Sequence, residues 1–473
     1  MSGFKREIKL FDAVMIVAGT MIGSGIFIVS SDIARTVGSP GYLLLVWLLS
    51  GIITLIGATS YAELAAMMPK AGGQYIYLRE AYNPLVSFLY GWTLFGVIQT
   101  GTIAAVAVAF ARYTGVLIPW FSEKNYLVDL GFFKFSSVQL LAIVSIILLT
   151  WINGRGVKNG KLIQNIFGST KIIAILILIV LGVTIGMNAD AISSNFTNMW
   201  DAKKVVVENG SIVSTENLAG IGIFFAIGMA MIGSLFSSDA WNNISFAGDE
   251  VVNPSRTLVR SLAIGTGLVT IIYIIVNFVY LSVLPLNDIQ TSPFDRVAAT
   301  AAQNIGGDTA VIGIAILIMI STFGCNNGCI LSGARVYYAM AKDGLFFNGL
   351  GILNKKGVPG KALNLQCVWA CFLCLLGAYN QLLTYVMLAV ILFYIFTIIG
   401  IFILRKKMPD APRPYKAFGY PVLPIIYILL ATAFCAVLLI KMFSVTGWGL
   451  LIVGLGIPVY YIMKAVAKNK PAS

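Results

Sequence analysis

Three stretches carry residues whose types and placement could do chemistry. The first is Gly19-Thr20-Met21-Ile22-Gly23-Ser24-Gly25-Ile26-Phe27, at the centre of an apolar run from about residue 10 to 36. A membrane-spanning helix needs about 20 apolar residues, so the run is long enough. Three glycines and a serine at its middle are poor helix material, each glycine costing about 1 kcal/mol relative to alanine. A helix broken at membrane depth leaves N–H and C=O groups that lipid cannot satisfy, so a break there lines a cavity. Close packing through small residues is the competing reading of the same glycines. The second stretch is Phe236-Ser237-Ser238-Asp239-Ala240-Trp241-Asn242-Asn243, inside the sixth apolar segment. Short polar residues and an acid at that depth are rare and mostly functional. The third is Lys171, in Phe167-Gly-Ser-Thr-Lys171 with an apolar run after it. It lies about ten residues, or roughly 15 Å, beyond Lys161, too far for easy snorkelling to the bilayer surface. A lysine so deep needs a partner; a lysine facing the cytoplasm is the alternative.

Two facing broken helices suit a zwitterion. The free N–H groups that open the second half of the first segment carry partial positive charge and favour a carboxylate. The free carbonyls that end the first halves of both broken segments favour an ammonium. Backbone supplies both poles, so no charged side chain is required to hold an α-amino acid.

The elements that must position these groups are helices. The chain has 473 residues, 58% hydrophobic and 11% charged, far from a soluble average. The composition points to a polytopic helical membrane protein with no separate soluble domain and no cleavable signal, since the first apolar run is too long and lacks a small-residue cleavage site. Twelve apolar segments can be marked, at about 10–36, 41–68, 84–114, 137–154, 160–187, 217–249, 258–285, 309–341, 361–379, 382–405, 421–441 and 447–467. Nothing alternates as a membrane barrel does. Segment six follows five spans and so runs opposite to segment one. Interrupted segments at corresponding places in two halves point to an inverted repeat. The expected fold is therefore all-α, twelve transmembrane helices, with a five-plus-five inverted repeat (10–187 and 217–405), broken helices 1 and 6, and two extra helices over 421–467.

The net charge is +13. In a soluble chain that would raise nucleic acid as a partner. Here it falls in alternate loops, with Lys5, Arg6, Lys9, Arg155, Lys158, Arg405, Lys406, Lys407 and Lys468 on the side of the termini. The positive-inside rule makes both termini cytoplasmic, in the cell membrane, with lipid rather than nucleic acid as the surrounding partner. All six cysteines lie in apolar segments and histidine is absent. A disulfide framework, a metal site, imidazole relays and Ser-His-Asp chemistry are not expected. No metal, no other cofactor and no enzymatic activity are expected. A channel would show rows of pore charges, and a nutrient sensor a soluble signalling domain.

The pieces Gly19–Phe27, Tyr61-Ala-Glu-Leu64, Pro69-Lys-Ala-Gly-Gly-Gln-Tyr75, Trp241-Asn-Asn243 leading to Asp249-Glu-Val-Val-Asn-Pro254, and Ser321-Thr-Phe-Gly324 with Asn327-Gly328 and Arg335 occur in this order. Together they resemble the amino acid–polyamine–organocation superfamily, nearest its L-type amino acid transporter branch and bacterial relatives, over nearly the whole chain. The resemblance implies a single transporter domain, 1–473, working by alternating access. It implies that a substrate carboxylate meets the backbone amides and hydroxyl around Gly23, Ser24 and Gly25. The substrate ammonium would meet carbonyls of Met21, Phe236 and the Asp239 position, in the polar run that includes Ser237. Phe236 would be the outer aromatic gate. Lys171 resembles the lysine that replaces a sodium ion in sodium-independent members, bonding carbonyls of segment one and a hydroxyl of segment eight. Ser321, Thr322 and Cys325 are the candidates for that last contact, although a cysteine stands at 325 where relatives often carry serine.

The implied function is sodium-independent exchange of L-amino acids. Proton-coupled symport, and transport of cationic amino acids or polyamines, are the alternatives. Asp239 bears on the latter: it could receive a cationic side chain, cap the broken backbone or pair with a protein group. Glu63 and Arg335 could join an inner gate with Asp249 or Glu250, or anchor the membrane interface. Animal members of the branch carry a cysteine between segments three and four that links them to a heavy chain. Residues 115–136 hold none, so a disulfide-linked heavy chain is not expected.

Overall fold

The computed structural model describes residues 4–130, 134–376 and 379–468, with side chains described outside 379–385 and 466–468. The first apolar run folds as two helices, α1 (Leu10–Met21) and α2 (Gly25–Val37). Between them Ile22 is extended (φ −76°, ψ 91°). α2 ends on Gly38 at φ +55°, the left-handed cap that glycine adopts without strain. α3 (Pro40–Met67) starts on a proline, where the missing N–H has no helical partner to lose. α4 (Gln74–Ala81) and α5 (Pro84–Thr93) follow, and α5 passes through a π-turn at Leu94–Ile98 into α6 (Gln99–Leu117). Such turns inside helices are frequent at functional sites. Asn83 caps α5, accepting from the N–H groups of Leu85 and Val86.

A short antiparallel pair, β1 (Tyr126–Asp129) and β2 (Lys134–Ser136), leads into α7 (Ser137–Gly154). There Ser136 and Gln139 satisfy each other's backbone N–H, a capping box. After α8 (Val157–Thr184) come α9 (Ala189–Thr197) and a hairpin of β3 (Lys203–Glu208) and β4 (Ser211–Asn217). Asn209 and Gly210 turn it at positive φ (51° and 76°), the Asn-Gly chemistry that matches strand twist. The long connection at 188–216 thus carries its own structure, and Asn217 belongs to a strand rather than to the sixth apolar segment.

That segment is interrupted at its polar run. α10 (Ile221–Ser237) stops at the polar run, and only α11 (Asn243–Phe246) and a 3-10 turn at Gly248–Glu250 follow. α12 (Pro254–Val283), α13 (Leu286–Gln290), α14 (Val297–Lys342), α15 (Gly360–Leu375), α16 (Tyr379–Lys407), α17 (Val422–Lys441) and α18 (Phe443–Lys468) complete the chain. α14 is bent where Gly306 and Gly307 leave helical geometry, so the helix begins before the apolar run that marks it in sequence.

Among the described residues, ten helices are long and apolar enough to cross a membrane, and two shorter apolar ones, Ile221–Ser237 and Gly360–Leu375, accompany them. α1 packs on α8, α12 and α14; α2 packs on α10. Both interruptions therefore lie in the middle of the helical core.

Candidate functional site

The first break is an accounting problem in backbone carbonyls, and three neighbouring helices solve it. Lys171 of α8 is fully buried. Its Nζ donates to the carbonyls of Gly19 (2.5 Å), Ile22 (2.7 Å) and Ser321 (3.2 Å). The Cys325 thiol donates to Thr20 O at 3.0 Å. Tyr273 of α12 donates to Met21 O at 3.0 Å. The Ser321 hydroxyl donates to Ile22 O and Gly23 O at 3.1 and 3.2 Å. Each carbonyl from Gly19 to Gly23 thus has a donor outside its own helix, as buried carbonyls require. On the other side of the break, Phe27 N–H bonds back to Ser24 O at 3.1 Å. The N–H groups ahead of it, at Ser24, Gly25 and Ile26, have no upstream helical carbonyl. They form the positive end of α2.

Segment eight meets Lys171 through the Ser321 carbonyl rather than through a hydroxyl. An ammonium has only donors and needs an acceptor, which the Ser321 carbonyl supplies, while the Ser321 hydroxyl donates into the break. Thr322 points elsewhere, its hydroxyl bonded to Ile318 O (2.7 Å) and Met319 O (3.1 Å) of its own helix. Cys325 contacts the break directly rather than Lys171.

The second break lies against the first. A Cβ on Gly25 would run into the Ser237 hydroxyl, which is why only glycine fits. Thr20 Oγ1 donates to Ala240 O at 2.9 Å, and Tyr273 reaches Ser237 O at 3.0 Å. Tyr273 therefore ties both breaks to α12. Phe236 O accepts from Asp239 N–H at 3.2 Å, and the Phe236 ring is half-buried. Ala240 holds φ +65°, a left-handed conformation that strains a residue with a Cβ by about 1–2 kcal/mol. Asp239 Oδ1 accepts from Tyr394 of α16 at 2.7 Å. No ion pair reaches this carboxylate among the described residues. It borders a small cavity shared with Tyr90, the π-turn residues Leu94 and Ile98, Asn243 and Cys329.

The match to known proteins decides what this arrangement belongs to. A model of the amino acid permease family fits residues 8–463. The chain belongs to the amino acid permease family. It is 33% identical to a mouse large neutral amino acids transporter small subunit 2 over 97% of this chain and 81% of that protein. It is 31% identical to the serine/threonine exchanger SteT of Bacillus subtilis over 98% of both. A mouse b(0,+)-type amino acid transporter 1 matches at 28% over 91% of this chain and 82% of that protein.

In this permease Glu63 and Arg335 stand in two separate networks. Arg335 grips Glu250 with both ends of its fork (2.8 and 3.1 Å), both side chains fully buried. Glu250 O in turn receives the N–H groups of Glu7 and Ile8, and Asp249 accepts from Ala71 N–H at 3.0 Å. Glu63 is bound by the fork of Arg405 (2.9 and 2.7 Å), by Arg413 (3.5 Å) and by Ala417 N–H (2.7 Å). Its carboxylate is committed to the Arg405 fork and the Ala417 N–H, with Arg413 as a longer ion pair, while Arg335 is committed to Glu250. Sequence reading missed Arg405, Tyr273, Tyr394 and the amide pair Gln164–Asn327 (3.1 Å). Polar side chains at membrane depth are the signal that could have found the amides.

Proposed function

We propose that this protein is a multi-pass amino-acid exchanger of the cell membrane that works by alternating access without sodium. The Lys171 ammonium carries the reading. It sits on two carbonyls of the first break and one of α14, a place where a fixed positive charge serves in lieu of a bound cation. The relatives named as transporters and as an exchanger point the same way. Backbone N–H groups from Ser24 to Ile26 would take the substrate carboxylate. Carbonyls of Phe236 and of position 239 would take its ammonium beside that of Met21, which already accepts from Gly23 N–H and Tyr273, with Ser24, Gly25 and Ser237 shaping the floor and Phe236 closing above. Ten long helices and two shorter ones support a count of twelve spans. Broken helices in first and sixth place, touching at Gly25 and Ser237, support the inverted repeat over 10–187 and 217–405, with 421–467 outside it. The excess of Lys and Arg on the side of the termini supports a cytoplasmic placement for both. The Arg335–Glu250 pair would close that side, and Glu63 would anchor α16 and the loop after it.

A second reading concerns the substrate. An Asp239 carboxylate without an ion pair among the described residues favours a cationic substrate side chain, while the Tyr394 hydroxyl already offers it a neutral partner. The test uses purified protein in sealed vesicles. Labelled amino acid should enter without a sodium gradient, and faster when unlabelled amino acid is loaded inside. Strict sodium dependence defeats the Lys171 reading, and uptake driven by an imposed proton gradient into empty vesicles defeats exchange. Competition by lysine and leucine, compared between the parent and Asp239→Gly, decides the role of the carboxylate.

A further inference from the structure

The interface of α8 and α14 holds a cavity that amino-acid binding leaves unused. It measures about 320 Å³ and lies between Ala174, Leu178 and Leu181 on one wall and Ala310, Gly313 and Leu317 on the other. Every residue that lines it is aliphatic or glycine. Small side chains make the room, and nothing lies within 4 Å of where a Cβ on Gly313 would stand. The bend of α14 at Gly306 and Gly307 adjoins the lining residues Ile305 and Ala310.

Two neighbours give the cavity meaning. Ile177 and Leu181 of its own wall, with Ile173, Leu176 and Val180 beside them, form an exposed apolar stripe on α8. The most apolar stretch of α8 is only 28% buried, so in a bilayer this stripe meets hydrocarbon, and the cavity continues that surface inward. At its inner end Ile320 adjoins Ser321, and Ala174 lies one turn from Lys171. The same two helices that wall the cavity make the Lys171–Ser321 contact at 3.2 Å.

Water finds no polar partner in such a space, and dry apolar cavities accept apolar guests. A peptide segment would bring backbone groups that the walls cannot satisfy. We propose that one acyl chain of a membrane phospholipid seats here, a wedge between α8 and α14 that sets how readily the Lys171–Ser321 contact opens. The wedge rests on the exchanger reading; the seat does not.

The test places the protein in liposomes containing a phospholipid with a photoreactive diazirine on its acyl chain. Adducts are mapped by mass spectrometry and exchange is measured in the same vesicles without illumination. Adducts are expected on residues 174–181 and 302–320 at several times the yield on Ile271 and Ile275, exposed on α12. Gly313→Phe, which fills open space, should remove them, spare the α12 adducts and change the exchange rate several-fold. Ala174→Leu, from the opposite wall, is the second variant should the first fail to fold. Adducts no denser than on α12, or insensitive to both variants, overturn the seat. Adducts lost with exchange unchanged overturn the wedge. A parent that binds no amino acid and exchanges none overturns the exchanger reading and the wedge with it, while the adduct map still decides the seat.

Discussion

In the first break, donors from α8, α12 and α14 meet every carbonyl from Gly19 to Gly23. In the second, N–H groups of the turn bond to its own carbonyls, Asp239 N–H to Phe236 O, Asn243 N–H to Ala240 O and Ser245 N–H to Asn242 O, and braces reach it at Ser237 O from Tyr273, at Ala240 O from Thr20 and at Asp239 from Tyr394. The first is cross-braced and glycine-lined, and its side chains scarcely enter the site. The second stores strain at Ala240 and carries the carboxylate and the aromatic ring that the proposed site would use. Rigid backbone suits the part all amino acids share, and a turn that presents side chains suits the part in which they differ. Strain held by its surroundings is common at such sites.

The largest effect should come from removing the brace. Lys171→Met takes the outside donor from Gly19 O, leaves Ile22 O with the Ser321 hydroxyl alone, and removes the charge that joins the break to α14; an unmet buried carbonyl costs about 1–3 kcal/mol. Exchange in vesicles should fall by about 1,000-fold or more, with the folded fraction checked by size-exclusion chromatography. Retention of a tenth of the parent rate would mean that the first break does not depend on α8, and the contrast between the two breaks would collapse.

Next comes the anchor below the second break. Arg335→Met leaves Glu250 buried and unpaired, at a cost of about 3–5 kcal/mol. Thermal unfolding in detergent should show a large loss that the double change Arg335→Met with Glu250→Leu recovers in good part. The corresponding pair below the first break, Asp12–Lys161 at 3.2 Å, is 10% and 22% exposed. Asp12→Asn keeps an acceptor for the Lys9 N–H and leaves the more exposed Lys161 free to reach water, so it should cost less than Arg335→Met. Equal losses at the two places would show that the breaks are anchored alike.

A smaller effect tests their contact. Gly25→Ala forces a Cβ onto Ser237, and overpacking of this kind costs about 1–3 kcal/mol. Exchange should drop about tenfold. Ser237→Gly in the same chain should restore part of it, since contacting residues couple. Full additivity of the two changes would mean that the breaks move independently.

Much of this plan was legible in the residues. Glycine density marked the first break, and depth alone singled out Lys171. Helix ends followed apolar run lengths closely, as at Ser137–Gly154. What escaped was pairing over long stretches of chain. Arg405 lies at the foot of an apolar run among other basic residues, so nothing local distinguishes it as the partner of Glu63. Tyr273 is one aromatic among apolar neighbours until the fold brings its hydroxyl to both breaks. Asn195, in a sequon-like Asn-Phe-Thr, is buried and donates to Leu281 O and Leu284 O at 2.8 Å, a role no local pattern discloses. Segment six ends where its apolar run does, in the 3-10 turn at Gly248–Glu250.

The smallest effect is the most discriminating. Tyr394→Phe removes one hydrogen bond to Asp239 and nothing else of size. A bond to a charged group is worth about 1.5–3 kcal/mol, but the cavity beside Asp239 has room for about one water to replace the hydroxyl. The net change should be no more than about threefold. If the second break reads the side chain, that change falls unevenly: competition by lysine shifts against competition by leucine, while alanine, which offers little beyond the shared backbone groups, stays as it was. If all competitors shift in the same proportion, Asp239 and Tyr394 hold the turn in shape for any substrate. The division of labour between a fixed break and a selective one would then fail where it was expected to be clearest.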